Sequence, residues 1–393
     1  MGEWKSVTLG EISIDISYGY TASATQEKNG PKFLRITDIV PDRIDWDSVP
    51  YCLIEDKKLK QYTLKYGDIV IARTGATTGY NKLITGNDNA IFASYLIRYK
   101  INIEVANPYY VAYNLQSYEW KGFVEGIIGG SAQPGANAKQ FASFDFLLPS
   151  LKEQKAIAQV LSSLDDKIDL LHRQNKTLEE MAQTLFRQWF VEEAKEGWEI
   201  TTLGSFGKAV TGKTPSTKNS DYWGEEISFI TPTDFKYYGK YSTFSDRSLS
   251  IAGMEKVKNS VLPKDSILVT CIGSDMGKVA IVQNQCVTNQ QINSLIINDP
   301  FTLEYVYQHL KYSYPLLRAI AMGGTTMPII NKTDFENIEI PLPTNDLIKK
   351  FHNITSSFNE KIIQNTNQIK TLENMRDTLL PKLMSKEIRI KDL

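Results

Sequence analysis

The chain is written twice, and that duplication restricts the fold before any single element is considered. At an offset of 194 residues, Trp4 with Leu9-Gly10 returns as Trp198 with Leu203-Gly204. Gly129-Gly130 returns as Gly323-Gly324, and Phe141 with Leu148-Pro149 as Phe335 with Leu342-Pro343. Between these anchors the offset drifts by a few residues: FLRITDI at 33–39 aligns with FITPTDF at 229–235, and GDIVIARTGATTG at 67–79 with KDSILVTCIGSDMG ending at Gly277. Such drift marks loop insertions within two copies of one fold. The length of 393 residues suits two domains of roughly 150 residues plus connecting elements.

Each copy has two parts. The first, at 1–150 and 195–343, holds strand-like runs bounded by Gly, Asn and Asp, namely DIVIA at 68–72, SYLIRY at 94–99, SILVT at 266–270 and SLIIN at 294–298. These regions are expected to be globular and α+β. The second part, at 151–194 and 344–393, is a long helix, with a short tail after the second one. In the first helix Ile157, Leu161, Leu164, Ile168, Leu171, Asn175, Leu178, Ala182, Leu185 and Trp189 recur at alternating steps of four and three, which is a heptad seam. In the second, the same phase gives Phe351, Thr355, Phe358, Ile362, Asn365, Ile369, Leu372, Arg376, Leu379 and Leu383. A helix of more than 30 residues reaches on the order of 45 Å, longer than a domain of this size can cover. The two helices are therefore expected to pack on each other. An antiparallel pairing in which facing positions sum to 540 keeps the whole seam in register and sets Asn175 opposite Asn365, a known register device.

Charge does not point to a polyanion. Lys and Arg number 44 against 45 Asp and Glu, and each globular half is within one charge of neutrality. Affinity for a phosphate backbone comes mainly from Lys and Arg, so any nucleic-acid face must be a local patch. No apolar run approaches the roughly 20 residues that span a bilayer, and the start MGEWKSVTLGEI has no basic region followed by an apolar one, so no membrane association and a cytoplasmic location are expected. Cys52, Cys271 and Cys286 are scattered and odd in number, and His172, His309 and His352 have no ligand-like spacing. Neither a disulfide framework nor a metal site is expected.

Three motifs imitate chemistry. GKAVTGKT at 207–214 fits the phosphate-binding pattern G-x-x-x-x-G-K-[ST], but Pro215 and a run of turn residues follow where a helix is needed to cradle phosphates. NPYY at 107–110 and DPF at 299–301 resemble fragments of an amino-methyltransferase motif. Asn or Asp as helix cap with Pro in the first turn accounts for both. No other catalytic constellation stands out, so the chain is expected to be non-catalytic.

The segment LPSLKEQKAIAQVLSSLDDKIDLLHRQNKTLEEMAQTLFRQWFVE at 148–192 resembles the central spacer of type I restriction-modification specificity subunits, and LLPKLMSKEIRI at 379–390 resembles their ending. GDIVIARTG, KDSILVTCIG, and the stretches beginning GGSAQP and GGTTMP are similar to their target-recognition domains. The resemblance covers essentially the whole chain. It implies two target-recognition domains in a pseudo-twofold arrangement, separated by two long antiparallel coiled-coil helices. Each domain would read one half of an asymmetric, bipartite site in double-stranded DNA, and the helices would set the gap. Two methyltransferase subunits would dock on the helices and restriction/translocase subunits would join outside them. Those partners would use S-adenosylmethionine and ATP, with no cofactor held by this chain. One departure is that Glu153-Gln154 of the first join becomes Leu347-Ile348 at the second, so contacts made there by the first helix need not recur.

Base and phosphate contacts need short polar side chains and cations on loops that enter a groove. The candidates in the first half are Tyr20, Thr21, Ser23, Arg73, Thr74, Thr77, Thr78, Tyr80, Ser131, Gln133, Asn137 and Lys139. In the second half they are Thr211, Lys213, Thr214, Ser274, Asp275, Lys278, Thr325, Thr326 and Asn331. Two other classes stay open at this point: an internally duplicated ATPase using Lys213, which nucleotide turnover would reveal, and a scaffold that brings partners together without touching DNA.

Overall fold

The computed structural model describes residues 4–390 apart from 42, 87–88, 130–134, 195–196, 274–275, 316 and 319–328. It divides into two compact units, Met1–Ile168 with Thr371–Leu393, and Asp169–Lys370. The division falls inside both long helices, Leu151–Arg187 and Asn345–Met384.

In the first unit, Ser13–Tyr18, Leu96–Ile101, Asp68–Ala72 and Asn81–Leu83 form a four-stranded antiparallel sheet in that order. Its central strand explains the uninterrupted run DIVIA. Ile69 and Ile71 enter the main core with Tyr99, Tyr110 and Trp120, while Val70 and Ala72 enter a second core with Leu34 and Phe92. A strand buried on both faces has no polar side to alternate with. Lys32–Leu34 and Ala90–Phe92 pair in parallel. Lys5–Thr8 pairs with Asp145–Leu148 and closes the domain, bringing its two ends together at the foot of the first long helix.

The second unit repeats the plan. Gly207–Thr211, Ile292–Ile297, Ile267–Thr270 and Val279–Val282 form the corresponding sheet, with Tyr241–Ser242 added in parallel at its edge. Glu199–Thr202 and Glu339–Leu342 form the closing ribbon, 194 residues after its counterpart. The drift in offset has a structural cause here. Where the first unit has one parallel strand pair, the second builds a five-stranded sheet from Trp223–Gly224, Arg247–Leu249, Ile227–Ile230, Cys286–Thr288 and Val261–Leu262.

Within each unit the two long helices run antiparallel in the expected register. In the first unit Arg376 Nη1 donates to Asp165 Oδ1 at 3.1 Å, and Leu161, Leu383 and Met384 share the sheet's core. In the second unit Asn365 Nδ2 donates to Asn175 Oδ1 at 2.9 Å, and the rings of Trp189 and Phe351 lie 6.2 Å apart. Leu161, Ile168, Leu171, Ile362, Asn365 and Ile369 are buried, and Leu164, Asn175, Leu178, Phe358 and Leu372 are partly buried. After Arg187 the first helix widens into a π-helical turn, Gln188–Glu192, that turns Phe190 into the second unit's core against Tyr305 and Phe351.

The departure at the joins has a chemical explanation. Gln154 is fully buried, accepts from Asn107 N at 2.8 Å and donates to Val105 O and Pro149 O at 3.2 and 2.9 Å. At the second join the same place is taken by buried, apolar Ile348. Hydrogen bonding fastens one helix start and apolar packing the other. Among the described residues no helix is long and apolar enough to cross a membrane.

Candidate nucleic-acid interface

Both copies carry the same turn after the central strand. Gly75 and Gly79 have φ of 77° and 89°, and Gly273 and Gly277 have 87° and 88°, a left-handed backbone that favours glycine. Gly79 is also packed, since a Cβ there would sit 2.7 Å from Val124, and one on Gly277 would sit 2.7 Å from Tyr314. Each turn is then tied to a segment late in its domain, by a bridge between Thr74 and Gly135 in one copy and Ile272 and Ile329 in the other. Two residues further on in each case, Asn137 and Asn331 cap the short helices Ala138–Ala142 and Lys332–Glu336.

In the first unit this gathers four segments at one end of the sheet. Arg73 N donates to Tyr95 O at 3.0 Å, Ala136 N to Arg73 O at 3.0 Å, and Ala138 N to Tyr18 Oη at 3.1 Å. The Arg73 guanidinium lies over the Tyr18 ring, 4.9 Å from its centroid. Its Nε is buried without an acceptor, and no acceptor among the described residues reaches the guanidinium. Thr21, Ser23, Tyr80, Asn137 and Lys139 are exposed, while Thr74 and Thr77 are half-buried in the turn.

Two candidates face inward instead. Thr78 is buried and donates to Gly75 O at 2.7 Å, so its hydroxyl builds the turn. Tyr20 packs on Tyr62, with ring centroids 5.2 Å apart, beside a small core of Phe33, Cys52 and Ile91. Ser131 and Gln133 lie outside the described residues.

The second unit builds its cluster by the same route. Thr211 Oγ1 donates to Asn293 Oδ1 at 2.7 Å, Asn293 Nδ2 to Ile330 O at 2.9 Å, and Thr214 Oγ1 to Gln290 Oε1 at 2.6 Å. Cys271 N donates to Gln291 O at 2.8 Å and Ile330 N to Cys271 O at 3.0 Å. Lys213 and Asn331 are exposed and Lys278 is partly buried. Ser274, Asp275, Thr325 and Thr326 lie outside the described residues. Where the first copy has Arg73, this one has buried Cys271, whose thiol is pushed up to about 11 by burial.

Sequence reasoning missed Tyr18, Tyr95 and Gln290. Tyr95 is 60% exposed, because the strand begins at Leu96 rather than Ser94 and the preceding residues form the turn beneath Arg73. The available signal was position: each stands at a strand end facing a loop already singled out.

The imitation motifs resolve as expected. Directly after Gly207–Thr211 the chain runs on without a helix, and Gly212 lies so close to Asn289 O that a Cβ there would stand 2.0 Å away. Asn107 Oδ1 accepts from Tyr109 N and Tyr110 N, and Asp299 Oδ1 from Phe301 N, as helix caps. Among the described residues no group of His, Cys, Asp or Glu could hold a metal ion.

A family model described as the type I restriction modification DNA specificity domain matches the chain twice, over residues 1–180 and 195–374. The chain is 26% identical to the type I restriction enzyme HindI specificity subunit of Haemophilus influenzae over 99% of its own length and 100% of that protein. It is 25% identical to the putative type I restriction enzyme MjaX specificity subunit of Methanocaldococcus jannaschii, over 99% and 94% of the two chains. A crystal structure of a type I restriction-modification system S subunit from M. genitalium has the same fold, with a TM-score of 0.59 at 16% identity over 97% of this chain and 96% of the other. With one specificity domain on each half, joined by long helices as the repeat requires, the chain belongs to the type I restriction-modification specificity subunits and recognises the DNA target of such a system.

Proposed function

We propose that the halves 1–150 and 195–343 each read one half of an asymmetric, bipartite site in double-stranded DNA. The observation that carries this is the duplicated loop cluster, built on one backbone plan in both units but lined by unlike side chains: Arg73, Tyr80 and Lys139 in the first, Lys213, Thr214 and Lys278 in the second. One scaffold with two sets of polar groups reads two different half-sites.

In this reading the chain performs no catalysis and holds no cofactor. The long helices set the gap between half-sites and receive two methyltransferase subunits, with restriction/translocase subunits outside. Exposed apolar side chains on the helices, Leu170, Met181 and Met375, support a protein-binding role for them. The partners use S-adenosylmethionine and ATP, in the cytoplasm. Mapping methylated bases in a host expressing the system tests the proposal. Two unlike half-sites separated by a fixed unspecified gap are expected; a single continuous or palindromic motif overturns it.

A further inference from the structure

We propose that Arg73 is the guanine reader of the first recognition domain, and that the second domain has no reader at the equivalent place. The inference rests on the DNA-reading function proposed above and adds a residue and a base to it. The two turns match in backbone: positive-φ glycines at 75 and 79 answer those at 273 and 277, and the bridges Thr74–Gly135 and Ile272–Ile329 answer each other. On this common frame the side chains just before the turn differ in kind, Arg73 in one copy and buried Cys271 in the other.

Arg73 is arranged as a reader. The Tyr18 ring lies beneath its guanidinium at 4.9 Å, and Tyr18 is itself fixed by the hydrogen bond from Ala138 N at 3.1 Å. A cation–π contact of this kind positions the guanidinium without using its hydrogen bonds. Nε is sealed against the protein, whereas the Nη nitrogens are not among the buried unpaired atoms and meet no acceptor among the described residues. An open pair of coplanar N–H donors is the complement of the O6 and N7 acceptors of guanine in the major groove. No carboxylate among the described residues forms an ion pair with it, as is common for a structural arginine. Cys271 can offer only a weak, buried donor in the same place.

The test uses the full chain assembled with its methyltransferase partners and short duplexes carrying the mapped target. The first half-site is expected to contain a guanine at which 7-deazaguanine, lacking the N7 acceptor, weakens wild-type binding about ten-fold or more. Arg73→Gln is expected to bind both duplexes alike while discriminating the second half-site as before. Arg73→Lys, which keeps the charge, guards against misreading a folding defect, and retained second half-site discrimination reports an intact complex. The assignment is overturned if no guanine in the first half-site responds to 7-deazaguanine. It is also overturned if Arg73→Gln weakens all first half-site sequences equally, the signature of a phosphate contact. Absence of any bipartite target would instead overturn the underlying DNA-reading proposal, so the two failures are distinguishable.

Discussion

Gln154 has no exposed surface, and its amide is the partner of three backbone groups, Asn107 N, Val105 O and Pro149 O. Gln154→Ile, which copies the second join, leaves these groups unpaired inside the protein and should cost about 2–3 kcal/mol in a thermal melt. The paired glycines separate two effects that a sequence pattern merges. Gly75→Ala meets open space and should cost only the left-handed backbone penalty, about 1 kcal/mol, whereas Gly79→Ala adds a clash with Val124 and should cost about 3 kcal/mol or more. His309 supplies a pH dependence. Burial among Phe186 and Tyr305 holds its imidazole down at about 4. The unfolded chain takes up that proton near pH 6.5, so the stability is fully present above 6.5 and declines as pH falls towards 4. The loss below that is on the order of 3 kcal/mol, and His309→Gln should flatten the curve in melts run from pH 7 to 4.

At the scale of elements, each long helix is fastened to its globular neighbour by a polar contact, and the two copies use different chemistry. In the first unit Asp165 accepts from Tyr113 Oη at 2.6 Å and from Arg376. In the second the corresponding residue, Asn359, joins a buried ion pair between Lys240 and Glu304. Burial alone would raise the Glu304 carboxyl, but Lys240 beside it and hydrogen bonds from Gln308 and Asn359 hold it below the usual carboxylate range. Lys240→Met removes the cation and leaves a buried carboxylate, so a loss of about 3–5 kcal/mol in chemical denaturation of the second unit is expected. The seam itself was legible from residue spacing, since positions three and four apart share a helix face whatever surrounds them. Which polar groups fasten it was not, because Tyr113 and Lys240 come from distant parts of the chain.

For the whole molecule, the proposed ruler makes a quantitative expectation. A seven-residue insertion in each long helix, placed to keep the seam in phase, lengthens it by about 10 Å. That is about three base pairs at 3.4 Å each. Methylation mapping should then return the same two half-sites with a gap longer by about three base pairs; an unchanged gap would remove the ruler role.

The sequence by itself determined the duplicated plan, the two α+β halves, the heptad seam and the pairing of Asn175 with Asn365. All of these follow from periodicity and repetition, which local chain geometry imposes. Only the tertiary structure decided which loop residues are available to a ligand. Thr78 and Thr21 look alike in the sequence, yet one hydroxyl closes a turn inside the protein and the other is exposed. Arg73 acquires its platform from Tyr18, 55 residues earlier, and its neighbours from Tyr95 and Ala136. Exposure and orientation depend on contacts between segments far apart in the chain, and spacing along one segment carries no record of them.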